Sequence, residues 1–200
     1  MIAAMVVPLV VALGGSVSAG YGLASPATQN YAARYAARVR GRLVNLAEAG
    51  AQCDGIAEHQ VPTMPAGAAV VILDCGTNDI GGFGYTPEGK PDGSKRTAAA
   101  NDAELIEAEK SFDRALAMIR RREPHATIYL VNVRHWQRMT GPEAPQFARD
   151  VDAWNAMLAG AHARVVDIAN DPRMYAERYI LPDLVHPNAA GNVAIASDFR

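Results

Sequence analysis

Cysteine, an excess of charge of one sign and an apolar run long enough to span a bilayer are scarce or missing in this sequence of 200 residues. The only two cysteines, Cys53 and Cys75, are too few for a disulfide-built scaffold and lack the spacing of a zinc site. We expect buried free thiols there, although the sequence leaves a single disulfide open. The formal net charge of -2 gives no electrostatic case for nucleic acid or an anionic membrane as partner.

The sequence also has no internal repeat, no low-complexity segment and no block of like charge. Half of its residues are hydrophobic and a fifth are charged, which is ordinary for a globular protein. A chain of this length can bury a substantial core, and we therefore predict a single domain over residues 1–200.

The first apolar stretch needs a decision between two interpretations. Residues 1–13 are apolar apart from Pro8, as in a signal peptide, but no Lys or Arg precedes them. The nearest small-residue cleavage pattern, at 17–19, would remove Ser16, and the run is too short to span a bilayer. We interpret it as the first buried strand, with residues 1–7 as a candidate leader remnant. Localisation stays open, with the cytoplasm slightly favoured over secretion.

Short apolar runs without alternation recur along the chain and are typical of strands buried on both faces. We predict five strands, at 10–13, 43–46, 66–75, 126–133 and 163–168. Helical patterns separate most of them: one from a cap at Ser25 to Gly41, one from a cap at Asn101 or Asp102 to Arg122, and two covering 147–158 and 189–196. This alternation predicts a parallel sheet covered on both faces, a three-layer α/β/α sandwich.

Residues 81–100 fit neither pattern. They are rich in glycine and proline and also carry aromatic and basic residues. So long an irregular stretch in a compact domain is a lid or substrate-contact loop, or a surface excursion. We predict Phe83 and Tyr85 as substrate-binding residues in it.

Polar residues follow several predicted strands, and in an open α/β sheet ligands bind at that edge. Ser16 comes after two glycines, which allow a sharp turn. His186 can remove the proton of its hydroxyl, and Asp183, three residues earlier, can fix the tautomer of the imidazole. The N–H groups of Ser16 and Gly50 and the Asn78 amide can stabilise an oxyanion. This set is what acyl transfer requires.

Four blocks of the sequence carry a resemblance: GGSVSAGYG at 14–22, NLAEAGA at 45–51, GTND at 76–79 and DLVHPN at 183–188. With them the chain resembles the SGNH hydrolase superfamily, the GDSL-type lipases and esterases, over essentially its whole length. The resemblance implies a flavodoxin-like sandwich that needs no metal and no organic cofactor. It implies these roles: Ser16 as nucleophile, His186 as base, Asp183 as its orienter, and Ser16, Gly50 and Asn78 as oxyanion hole.

The expected activity is hydrolysis of a small-molecule ester, of the carboxylesterase or acetylesterase type, with acetylated carbohydrate as the preferred specific substrate. Lipase or thioesterase specificity on the same site is the alternative. The sequence departs from the family at Gly15, where an Asp is usual, so a catalytically silent binding module stays open. The α/β-hydrolase motif Gly-x-Ser-x-Gly fits neither Ser16 nor Ser18. Oligomeric state cannot be read from the sequence.

Overall fold

The structure, a computed structural model, describes residues 7–81, 83–85, 91–95, 98–137, 142 and 144–200; for 83–85, 91–95, 98, 99 and 101 it describes the backbone alone. Its strands are β1 (Leu9–Gly14), β2 (Arg42–Asn45), β3 (Ala68–Asp74), β4 (Phe83–Tyr85), β5 (Pro91–Lys95), β6 (Thr127–Val131) and β7 (Arg164–Val166). Its α-helices are α1 (Ser16–Ala19), α2 (Pro26–Gln29), α3 (Tyr31–Arg38), α4 (Cys53–Gly55), α5 (Val61–Thr63), α6 (Thr77–Ile80), α7 (Ala98–Arg122), α8 (Ala144–Gly160) and α9 (Ala189–Asp198).

Five strands form one parallel sheet in the order β2-β1-β3-β6-β7. The first strand therefore lies inside the sheet, with Val11 paired to Val44 on one side and to Val71 on the other. All five predicted strands are found within about two residues of their predicted limits. The five-stranded parallel α/β fold is confirmed.

The sheet is buried on both faces because helices pack against each. Along β1, Val11 and Leu13 belong to a core built with α7 and α8, whereas Val10 and Ala12 belong to a second core built with α3 and α9. These four side chains are fully buried. Alternate residues of one strand thus serve opposite cores, which explains why the strand is apolar without alternation.

The helices differ from the prediction in three places. Asn30 separates α2 from α3, and its side chain caps α3 by accepting a hydrogen bond from the Ala32 N–H. The predicted cap at Asn101 or Asp102 is wrong, because α7 begins at Ala98, where an alanine run favours helix. The helical segment 53–63, with a π-helical stretch at Ile56–Gln60, was not predicted, since Gly55 and Pro62 interrupt its pattern.

The segment 81–100 contains regular structure that the sequence pattern did not indicate. β4 and β5 pair in an antiparallel two-stranded sheet. The side chains of Phe83 and Tyr85, our predicted substrate-binding residues, lie outside the described part of the structure. Their role, and that of the segment as a lid, stay predictions.

The expectation of two free thiols is wrong. Cys53 and Cys75 form a disulfide, with their Cα atoms 5.5 Å apart. The physical reason is the packing of α4 against the carboxyl end of β3, which the separation of 22 residues in the sequence does not reveal.

Among the described helices, none is both long and apolar enough to cross a membrane.

Candidate active site

The site lies at the carboxyl edge of the sheet, where two turns require glycine. Gly14 has a φ of 146° at the end of β1, and a Cβ there would lie 2.4 Å from the Asp74 carbonyl oxygen. Gly76 has a φ of 102° after β3, and a Cβ there would lie 2.3 Å from the Trp154 ring. These positive φ values and close approaches explain why only glycine fits at both turns. The turns place Ser16 at the start of α1 and Asn78 in α6.

A chain of hydrogen bonds joins Ser16 to the loop before α9. His186 Nε2 lies 2.8 Å from Ser16 Oγ, and these residues are 170 positions apart in the sequence. His186 Nδ1 lies 2.6 Å from Asp183 Oδ2. The structure therefore brings the three predicted catalytic residues together in the order serine, imidazole, carboxylate. In this arrangement the hydroxyl can give its proton to an imidazole that the carboxylate orients.

Asp183 is held as a carboxylate. Its other oxygen, Oδ1, accepts hydrogen bonds from the N–H groups of Val185 and His186, each at 2.9 Å. Burial raises the pKa of Asp183, but the hydrogen bonds from His186 and Val185 outweigh it and leave that pKa below its usual value. An ionised Asp183 can accept a hydrogen bond from the Nδ1–H of His186, which leaves Nε2 as the unprotonated nitrogen that faces Ser16.

Two further predicted residues lie around the nucleophile turn. The Asn78 side-chain amide donates to the Ala51 carbonyl oxygen at 2.8 Å, and its Nδ2 lies beside the Cα of Gly15. Gly50 precedes Ala51 in a turn with a φ of 89°, and across the described residues its N–H has no hydrogen-bond acceptor. The turn that contains Gly50 is anchored to β1 by the Glu48 N–H, which donates to the Gly14 carbonyl oxygen at 3.0 Å. Both predicted oxyanion donors therefore lie in segments that contact the residues before Ser16.

A buried polar network supports the nucleophile turn, and the sequence analysis missed it. Asp74, at the end of β3, accepts hydrogen bonds from the N–H of Ser18 at 3.1 Å and from its hydroxyl at 3.0 Å. The Ser18 hydroxyl also contacts the hydroxyl of Tyr31. Burial raises the pKa of Asp74 to about 6, against the opposing effect of the bonds from Ser18. The signal in the sequence was an acidic residue directly after four apolar ones in a predicted strand.

Gln60 was missed as well. Its side-chain amide pairs with the backbone of Gly14, accepting from the N–H at 2.8 Å and donating to the carbonyl oxygen at 3.0 Å. Gln60 is buried and lies in the π-helical stretch, a type of irregularity often found at functional sites. No sequence pattern pointed to it, because the helix that carries it was not predicted.

Tyr21 lies on the solvent side of the site. Its ring centroid is 4.5 Å from that of His186, with an angle of 40° between the planes. The residue is 54% exposed, the second-largest exposure among the large hydrophobic residues of the described chain. It can contact a substrate that approaches His186.

For metals, the described residues offer no group of three or more His, Cys, Asp or Glu side chains that could hold an ion.

A parallel α/β sandwich with serine, histidine and aspartate in one hydrogen-bonded chain at the sheet edge has the arrangement of a serine hydrolase. A family model matches residues 12–194. The chain belongs to the GDSL-like lipase/acylhydrolase family. This result confirms the resemblance that the four sequence blocks indicated.

Solved structures of lipases and esterases share the fold. The lipase Lip_vut3 from a goat rumen metagenome is 18% identical, with a TM-score of 0.71 and coverage of 96% of this chain and 95% of that one. Phospholipase A1 from Streptomyces albidoflavus NA297 is 19% identical, with a TM-score of 0.67 and coverage of 94% and 95%. The psychrotrophic esterase EstA from Pseudoalteromonas sp. is 14% identical, with a TM-score of 0.65 and coverage of 95% and 93%. Among curated proteins, none matches this sequence.

Proposed function

We propose that this hydrolase cleaves carboxylic esters through an acyl-enzyme on Ser16. The observation that carries the proposal is the continuous hydrogen-bond chain from Ser16 Oγ through both nitrogens of His186 to Asp183 Oδ2. A serine hydroxyl is a weak nucleophile unless a neighbouring base removes its proton as it attacks. His186 Nε2, at 2.8 Å, lies within the range for such a transfer.

In the first step Ser16 Oγ forms a bond to the ester carbonyl carbon while His186 Nε2 takes the hydroxyl proton. The carbonyl oxygen becomes an oxyanion, which the N–H groups of Ser16 and Gly50 and the Asn78 amide stabilise. The tetrahedral intermediate then breaks its bond to the alcohol oxygen, which receives the proton from His186. The acyl group stays on Ser16.

The second step reverses these roles with water. His186 Nε2 takes a proton from a water molecule, whose oxygen attacks the acyl carbon. The bond to Ser16 Oγ breaks, the proton returns to Ser16, and a carboxylic acid leaves. Asp183 stays ionised throughout and stabilises the imidazolium that forms in both steps.

The substrate we propose is a short acyl ester, with acetylated carbohydrate as the preferred specific class. Support comes from the predicted aromatic contacts Phe83 and Tyr85 and from the exposed ring of Tyr21 beside His186. Lipase or thioesterase specificity on the same site is the alternative, and the similar structures named as a lipase and as phospholipase A1 favour the lipase. A panel of p-nitrophenyl esters of increasing acyl length, with acetylated xylan beside it, distinguishes these specificities.

A catalytically silent binding module is the second candidate, and the observation that favours it is Gly15 in the position of the usual aspartate. Labelling with a fluorophosphonate separates the two, because only an activated serine reacts. We expect stoichiometric labelling at Ser16. A serine that stays unlabelled under conditions that label a known serine esterase would favour the binding module.

The decisive variant is Ser16→Ala. Turnover of a short p-nitrophenyl ester should fall by about 10³-fold or more, because the nucleophile is lost. The matched control is Ser18→Ala, two residues away, whose hydroxyl is fully buried against Asp74 and Tyr31 and cannot reach a substrate. We expect Ser18→Ala to retain most of the turnover per folded molecule, while its free energy of unfolding falls because buried Asp74 and Tyr31 lose a hydrogen-bond partner. If Ser16→Ala turned over the ester at the wild-type rate, the proposed mechanism would be wrong.

A further inference from the structure

Arg134 is a buried cation beneath the loop that carries the base. It follows β6 and is 4% exposed. Its Nη2 donates to the carbonyl oxygens of Leu184 at 2.7 Å and of Val185 at 2.8 Å, and Nη1 donates to the His135 carbonyl oxygen at 3.2 Å. The guanidinium also lies 5.8 Å from the centroid of the Tyr175 ring. No motif in the sequence assigned a role to this residue.

The two loop carbonyls that Arg134 Nη2 binds, those of Leu184 and Val185, belong to the two peptide units whose N–H groups donate to Asp183. The Leu184–Val185 peptide accepts from Arg134 at its oxygen and donates to Asp183 Oδ1 at its N–H. The Val185–His186 peptide does the same. Because a peptide unit is planar and rigid, fixing both ends of two consecutive units fixes the backbone that leads to His186.

The loop needs such support. Leu184 has a φ of 60°, in the left-handed region that residues with a Cβ rarely adopt. The loop's own backbone hydrogen bonds run from the Leu184 N–H to the Leu181 carbonyl oxygen at 2.9 Å and from the Leu181 N–H to the His186 carbonyl oxygen at 2.7 Å. They close the turn but leave the Leu184 and Val185 carbonyl oxygens to Arg134.

We propose that Arg134 is a positioning residue for the Asp183–His186 pair, holding the loop so that Nδ1 faces the carboxylate and Nε2 faces Ser16. The inference rests on the proposed esterase function. An arginine suits this role better than a lysine, because its planar fork reaches two carbonyls at once from one fixed orientation. Its positive charge lies close enough to Asp183 to attract that carboxylate, and three of its N–H groups donate to backbone carbonyls.

The test compares Arg134→Lys with Arg38→Lys. Arg38 is the control for the loss of arginine–carbonyl hydrogen bonds outside the site. Its guanidinium also donates to two backbone carbonyls, those of Ala196 at 2.8 Å and Phe199 at 2.6 Å, and lies 5.3 Å from the Tyr35 ring, but the residue is exposed whereas Arg134 is buried. Arg38 lies at the end of α3 and contacts the end of α9, and within the described part of the chain its hydrogen bonds involve none of the candidate site residues. For both variants we measure folding by circular dichroism, kcat and KM on a short ester, and the pH profile of kcat/KM.

We expect Arg134→Lys to fold and to lose about tenfold to hundredfold in kcat, with KM nearly unchanged, because misplacing the base slows chemistry without touching the substrate. The midpoint of the acid limb of the profile should move to lower pH, since a displaced Asp183 stabilises a protonated imidazole less. Arg38→Lys should leave kcat and the profile at wild-type values. A merely structural role would lower the folded fraction and shift neither kcat per active site nor the profile.

Wild-type kcat and an unshifted profile in folded Arg134→Lys would overturn the inference. If that variant does not fold, Arg134→Gln, which leaves no buried charge, replaces it with the same expectation for kcat and KM. The pH profile is not used for this variant, because removing a cation near the Asp183–His186 pair by itself favours the protonated imidazole. Failure of the proposed function is seen separately, as full turnover by Ser16→Ala. In that case the downfield NMR signal of the His186 Nδ1 proton still tests positioning: we expect it in the wild type and in Arg38→Lys and not in Arg134→Lys, and its persistence there would contradict the inference.

Discussion

The two halves of the candidate site are built differently. The nucleophile turn follows β1, an interior strand. Hydrogen bonds of three buried residues hold it: Asp74, Ser18 and Gln60. The base lies in a loop without regular structure, held by Asp183 on one side and by Arg134 on the other. Support for the serine thus comes from buried neighbours. Support for the histidine comes from a partly exposed carboxylate three residues away, Asp183, and from a buried cation 50 positions from Leu184 in the sequence, Arg134.

This difference predicts that substitutions beneath the nucleophile and substitutions around the base have different effects. Polar groups under the nucleophile are fully buried, so changes there alter the free energy of unfolding. Asp183 and His186 themselves are partly exposed, with side-chain exposures of 30% and 16%, whereas Arg134 beneath them is buried. Changes to Asp183 should therefore alter the rate far more than the stability. Three variants test the comparison, in order of decreasing effect.

The largest effect is expected from Asp183→Asn. The amide group of an asparagine at this position can donate a hydrogen bond to Nδ1. It therefore favours the tautomer of His186 in which Nε2 carries the proton and cannot act as the base. We expect kcat to fall by about 10⁴-fold, with little change in melting temperature. Steady-state kinetics and thermal unfolding of the same preparation measure both quantities.

The control is Asp152→Asn. Asp152 also pairs with a histidine, His135, at 3.0 Å, but its side chain is 73% exposed and lies outside the site. We expect wild-type kinetics from it. A large loss of stability in Asp183→Asn would contradict the contrast between the two halves of the site.

The second test is the pH dependence of Asp74→Asn. The pKa of Asp74 in the folded protein is about 6, above its ordinary value of 3.8. An acid with a raised folded pKa stabilises the fold below its unfolded pKa, and this contribution is lost as pH rises through the folded pKa. The free energy of unfolding of the wild type relative to Asp74→Asn should therefore fall by about 2.5 kcal/mol between about pH 4 and pH 7.

Urea unfolding of both proteins across this pH range measures the difference. Groups other than Asp74 titrate alike in the two proteins and cancel in the subtraction. A difference that stays constant with pH would mean that the carboxylate under the nucleophile turn does not bear on stability as described.

The smallest effect is expected from Gly15→Asp, which introduces the residue usual in the family. A Cβ at this position would lie 2.9 Å from Asn78 Nδ2, so the amide must move from its place beside the nucleophile. We expect kcat to fall by about tenfold to hundredfold, at most the loss of one oxyanion donor. Kinetics on a short ester measures it.

Gly15→Ala separates the two parts of this change, because it adds the Cβ without the carboxylate. Equal losses in Gly15→Ala and Gly15→Asp would assign the effect to crowding of Asn78. Higher activity in Gly15→Asp than in the wild type would show that the site accommodates the usual residue, against the geometry around Gly15.

The sheet could be predicted from the sequence because each interior strand is buried on both faces and therefore reads as an unbroken apolar run. Residues directly after strand ends, such as Ser16 and Asn78, could be placed at one edge for the same reason. The disulfide and the roles of Gln60 and Arg134 could not, because they depend on contacts between segments with no pattern linking them. Asp74 falls between these cases: its position in the strand was visible, but its partners were not.

The Ser16 hydroxyl and the His186 imidazole lie 2.8 Å apart, although the two residues are 170 positions apart in the sequence. Contacts of such sequence separation form late or slowly in a folding reaction, after local structure is in place. Under the proposed mechanism, neither the first strand nor the last helix can be missing or undocked while the serine is reactive. Recovery of fluorophosphonate labelling after dilution from denaturant would then time the joining of the two ends, independently of the spectroscopic signals that follow secondary structure.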